Sequence, residues 1–250
     1  MGKRKCIFCN SDQSFSNEHI FPQWLLKEFN ITKSGLLMIH NSYGIDLSER
    51  KLTFNNFVNG LVCRDCNNGW MSQLEVSVKD TLINLMNFEP EGIQQLKEKH
   101  SLVAKWAIKT AMALNYGTNY RRIIPKRHLR MLYKGILPQT IFVTLSFIDG
   151  YDEEGSFSWF QSQDNLHIGI NTKELMQDER FKDMYRITMQ FRHLLLKVVY
   201  TPFFDYKFYG ETRDIEIYPQ LLIYKEENDG IEFFYDDMMK FDVGGVFRQY

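Results

Sequence analysis

The sequence predicts an α+β chain, and three observations predict it. Four cysteines, all within the first 66 of the 250 residues, form two Cys-x-x-Cys pairs, Cys6/Cys9 and Cys63/Cys66. Apolar residues then recur at helical spacing through residues 70–87 and 102–115. From Thr140 onward the pattern changes to short runs of β character. The expected architecture is a cysteine-braced N-terminal module, residues 1–88, followed by a mixed α/β accessory domain, residues 89–250.

Each cysteine pair offers two thiolates from one tight knuckle, and two such pairs suit a tetrahedral structural Zn²⁺. A disulfide framework fits less well. The N-terminal Met-Gly-Lys-Arg-Lys is basic with no apolar run behind it, so no secretory signal is expected and the chain reads as cytoplasmic. A redox dithiol needs only one pair. The longest uncharged stretch, residues 135–148, contains Pro138 and falls short of the roughly 20 apolar residues that span a bilayer, so no membrane partner is expected.

Between the pairs, Pro22 suits a first helical position, and Trp24, Leu25 and Phe29 give a short amphipathic helix after it. Glu18-His19 therefore ends an extended segment just before a helix. After the second pair, Leu74, Val78, Leu82 and Leu85 continue at helical spacing, placing Asn67 and Asn68 near a helix start, where Asn67 would also serve as an N-cap. Trp24 and Trp70 read as packing between the knuckles. Glu89-Pro90-Glu91-Gly92 punctuates the helix end and marks the expected domain boundary.

The helix over 102–115 should be largely buried, with Lys105 and Lys109 one turn apart on its remaining face. Pro125–Tyr133 makes a further short helix bearing Lys126, Arg127 and Arg130, and Arg121, Arg122 and Lys134 extend the cluster; His128 carries no separate signal. Strands are expected over 140–148, 156–160, 166–170, 215–218 and 231–234, and a helix over 173–184. Residues 185–200 read as a strand or as part of a buried helix, and periodicity does not decide between them.

The net charge of −1 conceals a division. Residues 97–134 carry ten Lys+Arg and one acid, Glu98, while residues 135–250 carry 11 basic and 20 acidic groups. The local field of the basic segment, not the total, decides whether a polyanion binds there. Lys105, Lys109, Arg121, Arg122, Lys126, Arg127 and Arg130 are the candidate contacts to a nucleic-acid backbone. His167, His193 and the acidic clusters of the C-terminal half assign no chemistry.

Two segments, each beside a cysteine pair, carry a family resemblance: Glu18-His19-Ile20-Phe21-Pro22-Gln23-Trp24-Leu25, and Cys63-Arg64-Asp65-Cys66-Asn67-Asn68-Gly69-Trp70-Met71-Ser72-Gln73-Leu74-Glu75. The chain over Lys5–Leu85 resembles the His-Asn-His, or ββα-metal, endonuclease superfamily, in particular a bacterial subgroup with these two segments. The resemblance extends faintly into Lys105–Ala111, without assigning chemistry to it. It implies a zinc-braced ββα-metal nuclease module with His19 as the general base and Glu18 and Asn67 as ligands of a catalytic divalent ion. A carboxylate and an amide oxygen are hard donors that suit Mg²⁺ or Mn²⁺. The middle Asn of the motif, which orients the histidine through a loop contact, falls on Asn59, with Asn55 and Asn56 competing.

The function so implied is hydrolysis of phosphodiester bonds in nucleic acid, with double-stranded DNA as the expected substrate and anti-phage defence as the expected setting. The competing reading is a non-catalytic zinc module that binds nucleic acid or protein; an RNA-directed nuclease or toxin is a further alternative. The acidic, aromatic-rich C-terminal part is expected to dock on a partner protein or on a second copy of the chain.

Overall fold

The computed structural model describes residues 4–42, 45–118, 122–148, 157–162, 183–202, 214–223 and 245–249. The chain is mixed α+β. The strand pair β1 (Glu18–His19) and β4 (Val58–Asn59) is antiparallel, with Glu18 opposite Asn59 and His19 opposite Val58. Between these strands come helix α1 (Gln23–Glu28), the hairpin β2 (Gly35–Ser42) and β3 (Ile45–Thr53), and a 3₁₀ turn, Phe54–Asn56. Pro22 stands just before α1, where its missing N–H costs no hydrogen bond.

A short helix, α2 (Arg64–Cys66), follows β4 and runs through a π-type turn, Asn67–Met71, into α3 (Ser72–Met86). Gly69, at φ −92° and ψ −112°, breaks the helical ladder inside that turn. Leu74, Val78, Leu82 and Leu85 are buried along one face of α3, as their spacing requires.

Helix α4 (Pro90–Gly117) is longer than the apolar pattern of 102–115 suggests. Pro90 opens this helix. The α3–α4 link is tight: Phe88 adopts a left-handed φ of 58°, and a Cβ on Gly92 would lie 2.8 Å from the Leu85 nitrogen. The Phe88 ring packs edge-on against Phe147 at 4.9 Å, an apolar contact that offsets the strained backbone. Helix α5 (Lys126–Tyr133) follows, as expected.

Among the described residues, one antiparallel sheet of nine strands runs β10-β9-β5-β8-β7-β6-β11-β2-β3. It uses β5 (Ile141–Phe147), β6 (Phe157–Ser162), β7 (Tyr185–Phe191), β8 (Leu194–Tyr200), β9 (Ile215–Tyr218), β10 (Leu222–Ile223) and β11 (Gly245–Gln249). The undecided segment 185–200 is therefore a hairpin, turning at Arg192, which has a φ of 56°. Every residue of β8 is buried, so alternation is erased and periodicity could not reveal the strand. The expected strands at 166–170 and 231–234, and the expected helix 173–184 up to residue 182, lie outside the described residues.

The two halves share one core. It runs from Cys6 to Ile217, and strands β2 and β3 of the N-terminal segment join the sheet through β11. Phe21 packs on Phe191 at 5.8 Å, and Phe54 on Phe157 at 5.9 Å, so aromatic rings bridge the segment between the knuckles to the sheet. Almost every residue of α4 from Val103 to Tyr116 is buried, and Trp106 meets Phe191 at 5.5 Å. The helix lies between α3 on one side and strands β5, β8 and β9 on the other. No described helix is long and apolar enough to cross a membrane.

Candidate functional site

The four cysteine sulfurs lie within 4.8 Å of one another, drawn together from both knuckles. Cys6 and Cys66 are 3.9 Å apart, and Cys9 and Cys63 are 3.5 Å apart. Thiolates at about 2.3 Å from a tetrahedral zinc stand about 3.8 Å from each other, so the spacing fits that ion. These separations also exclude disulfides, whose sulfurs bond at about 2.0 Å. The cluster could hold a metal such as zinc.

Backbone contacts impose the geometry. Ile7 N–H donates to Leu61, Ser16 N–H to Val62 and Arg64 N–H to Ser14, so the first knuckle is laced to the second. The Cys63 N–H donates to Cys6 Sγ at 3.4 Å, a contact that favours charge on sulfur. The Cys6 thiol is lowered to about 4, chiefly by its hydrogen bond with Cys66, while burial pushes Cys63 up to about 11. Trp70 packs edge-on against Phe8 at 5.5 Å, in the packing role read from the sequence. Its buried indole N–H has no hydrogen-bond partner among the described residues.

Beside this cluster stands the β1–β4 pair with α2 and α3 following, an arrangement of two strands and a helix. Successive residues of a strand face opposite ways, and here Glu18 turns inward while the His19 imidazole stays partly exposed. Among the described residues, His19 has no side-chain hydrogen-bond partner, and neither has Asn67. No hydrogen bond or ion pair joins Asn67 to Glu18 or His19. Asn67 does not N-cap a helix: the N-cap position of α2 belongs to Cys63, in extended backbone, and Asn67 lies at the C-terminal end of α2, still helical at φ −62° and ψ −58°, where the run continues into the π-type turn. Asn68 is exposed.

Asn59 is buried, and both ends of its amide are engaged. Nδ2 donates to the Ala113 carbonyl at 3.1 Å, and Oδ1 accepts from the Leu61 N–H at 2.9 Å. It makes no hydrogen bond to His19; its amide braces β4 and the following loop against α4. Asn55 and Asn56 are exposed in the 3₁₀ turn, Asn55 accepting from Gln23 at 3.2 Å.

Lys109 corrects the sequence reading most sharply. It is completely buried and cannot present its charge to a phosphate backbone. Its Nζ donates to Glu75 Oε1 at 2.7 Å and lies 3.9 Å from Glu18 Oε1. Burial pushes the Glu18 carboxyl up to about 7, with Lys109 opposing the shift and Glu75 adding to it. Glu18 and Glu75 come from the two segments that carry the resemblance and Lys109 from the stretch into which it faintly extends, yet nothing in the sequence joins them. The available signal was a lysine, with Lys105 one turn before it, within a largely apolar helical stretch.

The other basic candidates scatter. Arg122, Lys126, Arg127 and Arg130 are exposed, Lys105 is half-buried, and Arg121 lies outside the described residues. Arg127 pairs with Asp183, and Arg122 covers the Tyr116 ring at 5.1 Å. Arg130 donates to Asn10 Oδ1 at 3.0 Å, which sets α5 beside the first cysteine knuckle. Of the exposed cations of α5, Arg130 thus lies beside the first cysteine knuckle.

No family model, no curated protein and no solved structure matches this chain.

Proposed function

We propose that the chain is a metal-dependent endonuclease that hydrolyses phosphodiester bonds of nucleic acid, with DNA as the substrate. The observation that carries this reading is the His19 imidazole, partly exposed and without a hydrogen-bond partner, on a strand pair beside a four-cysteine cluster. A general base needs an imidazole that is reachable and not already spent on the protein. His19 takes a proton from water, and Glu18 with Asn67 holds the Mg²⁺ or Mn²⁺ that stabilises the departing oxygen. Glu18 supports its part as a buried carboxylate that accepts no hydrogen bond among the described residues. The four cysteines hold a structural zinc, and Arg122, Lys126 and Arg130 lie along the phosphate backbone.

The test is cleavage of supercoiled plasmid with Mg²⁺ or Mn²⁺ by the native protein and by His19→Ala. Loss of cutting in a folded, zinc-loaded His19→Ala protein is expected. Cutting that survives removes His19 from the mechanism. One observation favours a second reading, a zinc-braced binding module: Glu18 faces Lys109 inside the core. Under that reading, native protein binds nucleic acid and cuts none with any metal.

A further inference from the structure

Three charged side chains meet between β1, α3 and α4, and they are unequally bonded. Lys109 has no exposed surface, the Glu18 side chain is 5% exposed and that of Glu75 is 18% exposed. A lysine ammonium so deeply buried must be compensated, and two carboxylates compete to do so. Glu75 wins: its Oε1 takes the charge-assisted hydrogen bond at 2.7 Å, whereas Glu18 Oε1 stays at 3.9 Å, beyond hydrogen-bond reach. Glu18 keeps its lone pairs unused despite lying beside a cation.

The framework dictates this asymmetry. Lys109, Ala113 and Gly117 fall at i, i+4 and i+8 on α4, a single stripe along the helix. Ala113 receives the Asn59 amide, and a Cβ on Gly117 would stand 2.3 Å from Ile20 Cδ1. The small residues let α4 approach the β1–β4 pair closely, and Lys109 is the first polar group along that stripe. Glu75, reaching across from α3, closes the triad from the other side.

We propose that Glu75 is a positioning residue of the metal site: it holds the Lys109 ammonium off Glu18 and cancels its charge, leaving the Glu18 carboxylate open to a divalent cation. This rests on the reading of Glu18 as a metal ligand. Without Glu75 the ammonium has one carboxylate left to bond, Glu18 itself, and its uncompensated charge repels an incoming Mg²⁺ or Mn²⁺. Both effects weaken metal binding, and both vanish if Lys109 also loses its charge.

The experiment is a Mn²⁺ titration of full-length, zinc-loaded protein, followed by water-proton relaxation, with Glu18→Gln defining the site. Glu75→Gln should weaken Mn²⁺ binding about tenfold or more, and Glu75→Gln/Lys109→Met should restore it to about the level of Lys109→Met alone. A purely structural role for Glu75 would produce no such rescue. Unchanged affinity in Glu75→Gln, or a loss that persists in the double variant, overturns the proposal while leaving Glu18 as a ligand. Should Glu75→Gln fail to fold, Glu75→Asp keeps the charge but withdraws it by one methylene. It should weaken binding several-fold, and unaltered affinity there also overturns the proposal. Native protein that binds no Mn²⁺, or Glu18→Gln protein that binds it as well, removes Glu18 as a ligand and the proposal with it.

Discussion

The amide of Asn59 joins strand β4 to helix α4 through Ala113, with a 3.1 Å hydrogen bond to that residue's carbonyl. The bond ties the strand pair that carries Glu18 and His19 to the buried central helix of the chain. Replacing Asn59 with Ala leaves the Leu61 N–H without its acceptor and should cost about 1–3 kcal/mol. Urea denaturation of the two proteins measures this. A change within about 0.5 kcal/mol would show that the brace is dispensable.

The cysteine cluster makes a compositional prediction. Purified protein should carry one zinc per chain by elemental analysis, and Cys63→Ser should lose it. Because an ion bound only by the folded chain stabilises that state, chelation should lower stability by several kcal/mol, on the order expected of structural zinc. Zinc content that survives Cys63→Ser would place the ion elsewhere.

His128 sets a pH dependence. It is buried in α5, its Nδ1 3.1 Å from the Tyr185 hydroxyl and its ring 4.4 Å from Tyr200, and burial lowers it to about 4. The neighbouring Arg127 lowers it further, and Asp183 opposes. Between pH 6.5 and 4 the unfolded chain binds a proton that the folded chain refuses, so stability falls as the pH falls through that window. The full loss is about 3 kcal/mol, and none arises above pH 7. Glu18, raised to about 7, has the opposite sign: its contribution is present at low pH and lost as the pH rises through 7. The comparison is therefore between native protein and His128→Gln across pH 4–8. Parallel stability curves would rule His128 out.

The basic residues predict a salt signature. Binding to duplex DNA should weaken steeply with added salt, and Arg122→Ala or Lys126→Ala should each reduce the slope of log K against log salt by about 1. Arg127→Ala should reduce it less, since Asp183 already engages that guanidinium. Equal slopes for all these proteins would remove this surface from the interface.

Local pattern carried a good part of the fold. The cysteine spacing announced the cluster, the apolar repeat of Leu74, Val78, Leu82 and Leu85 announced α3, and Pro125 announced the start of α5. Alternation marked β5, where Phe142 and Ser146 are only half-buried between buried neighbours. Pattern failed where burial was uniform, as in β8, and where punctuation had two meanings. Pro90 suits both the end of one helix and the first residue of the next, and only the packing of Gly92 on α3 distinguishes them.

Within the candidate site, the sequence by itself determined the chemical inventory: four thiols at knuckle spacing, and an imidazole beside a carboxylate ahead of a helix. It determined these because thiolate pairs and helix signals are properties of residues a few positions apart. The tertiary structure alone decided which charges meet. Lys109 resembles any surface lysine until α4 is enclosed, and only then does its partner turn out to be Glu75, 34 residues away. The energy of a buried charge depends on what surrounds it in three dimensions, and a one-dimensional pattern holds no record of that environment.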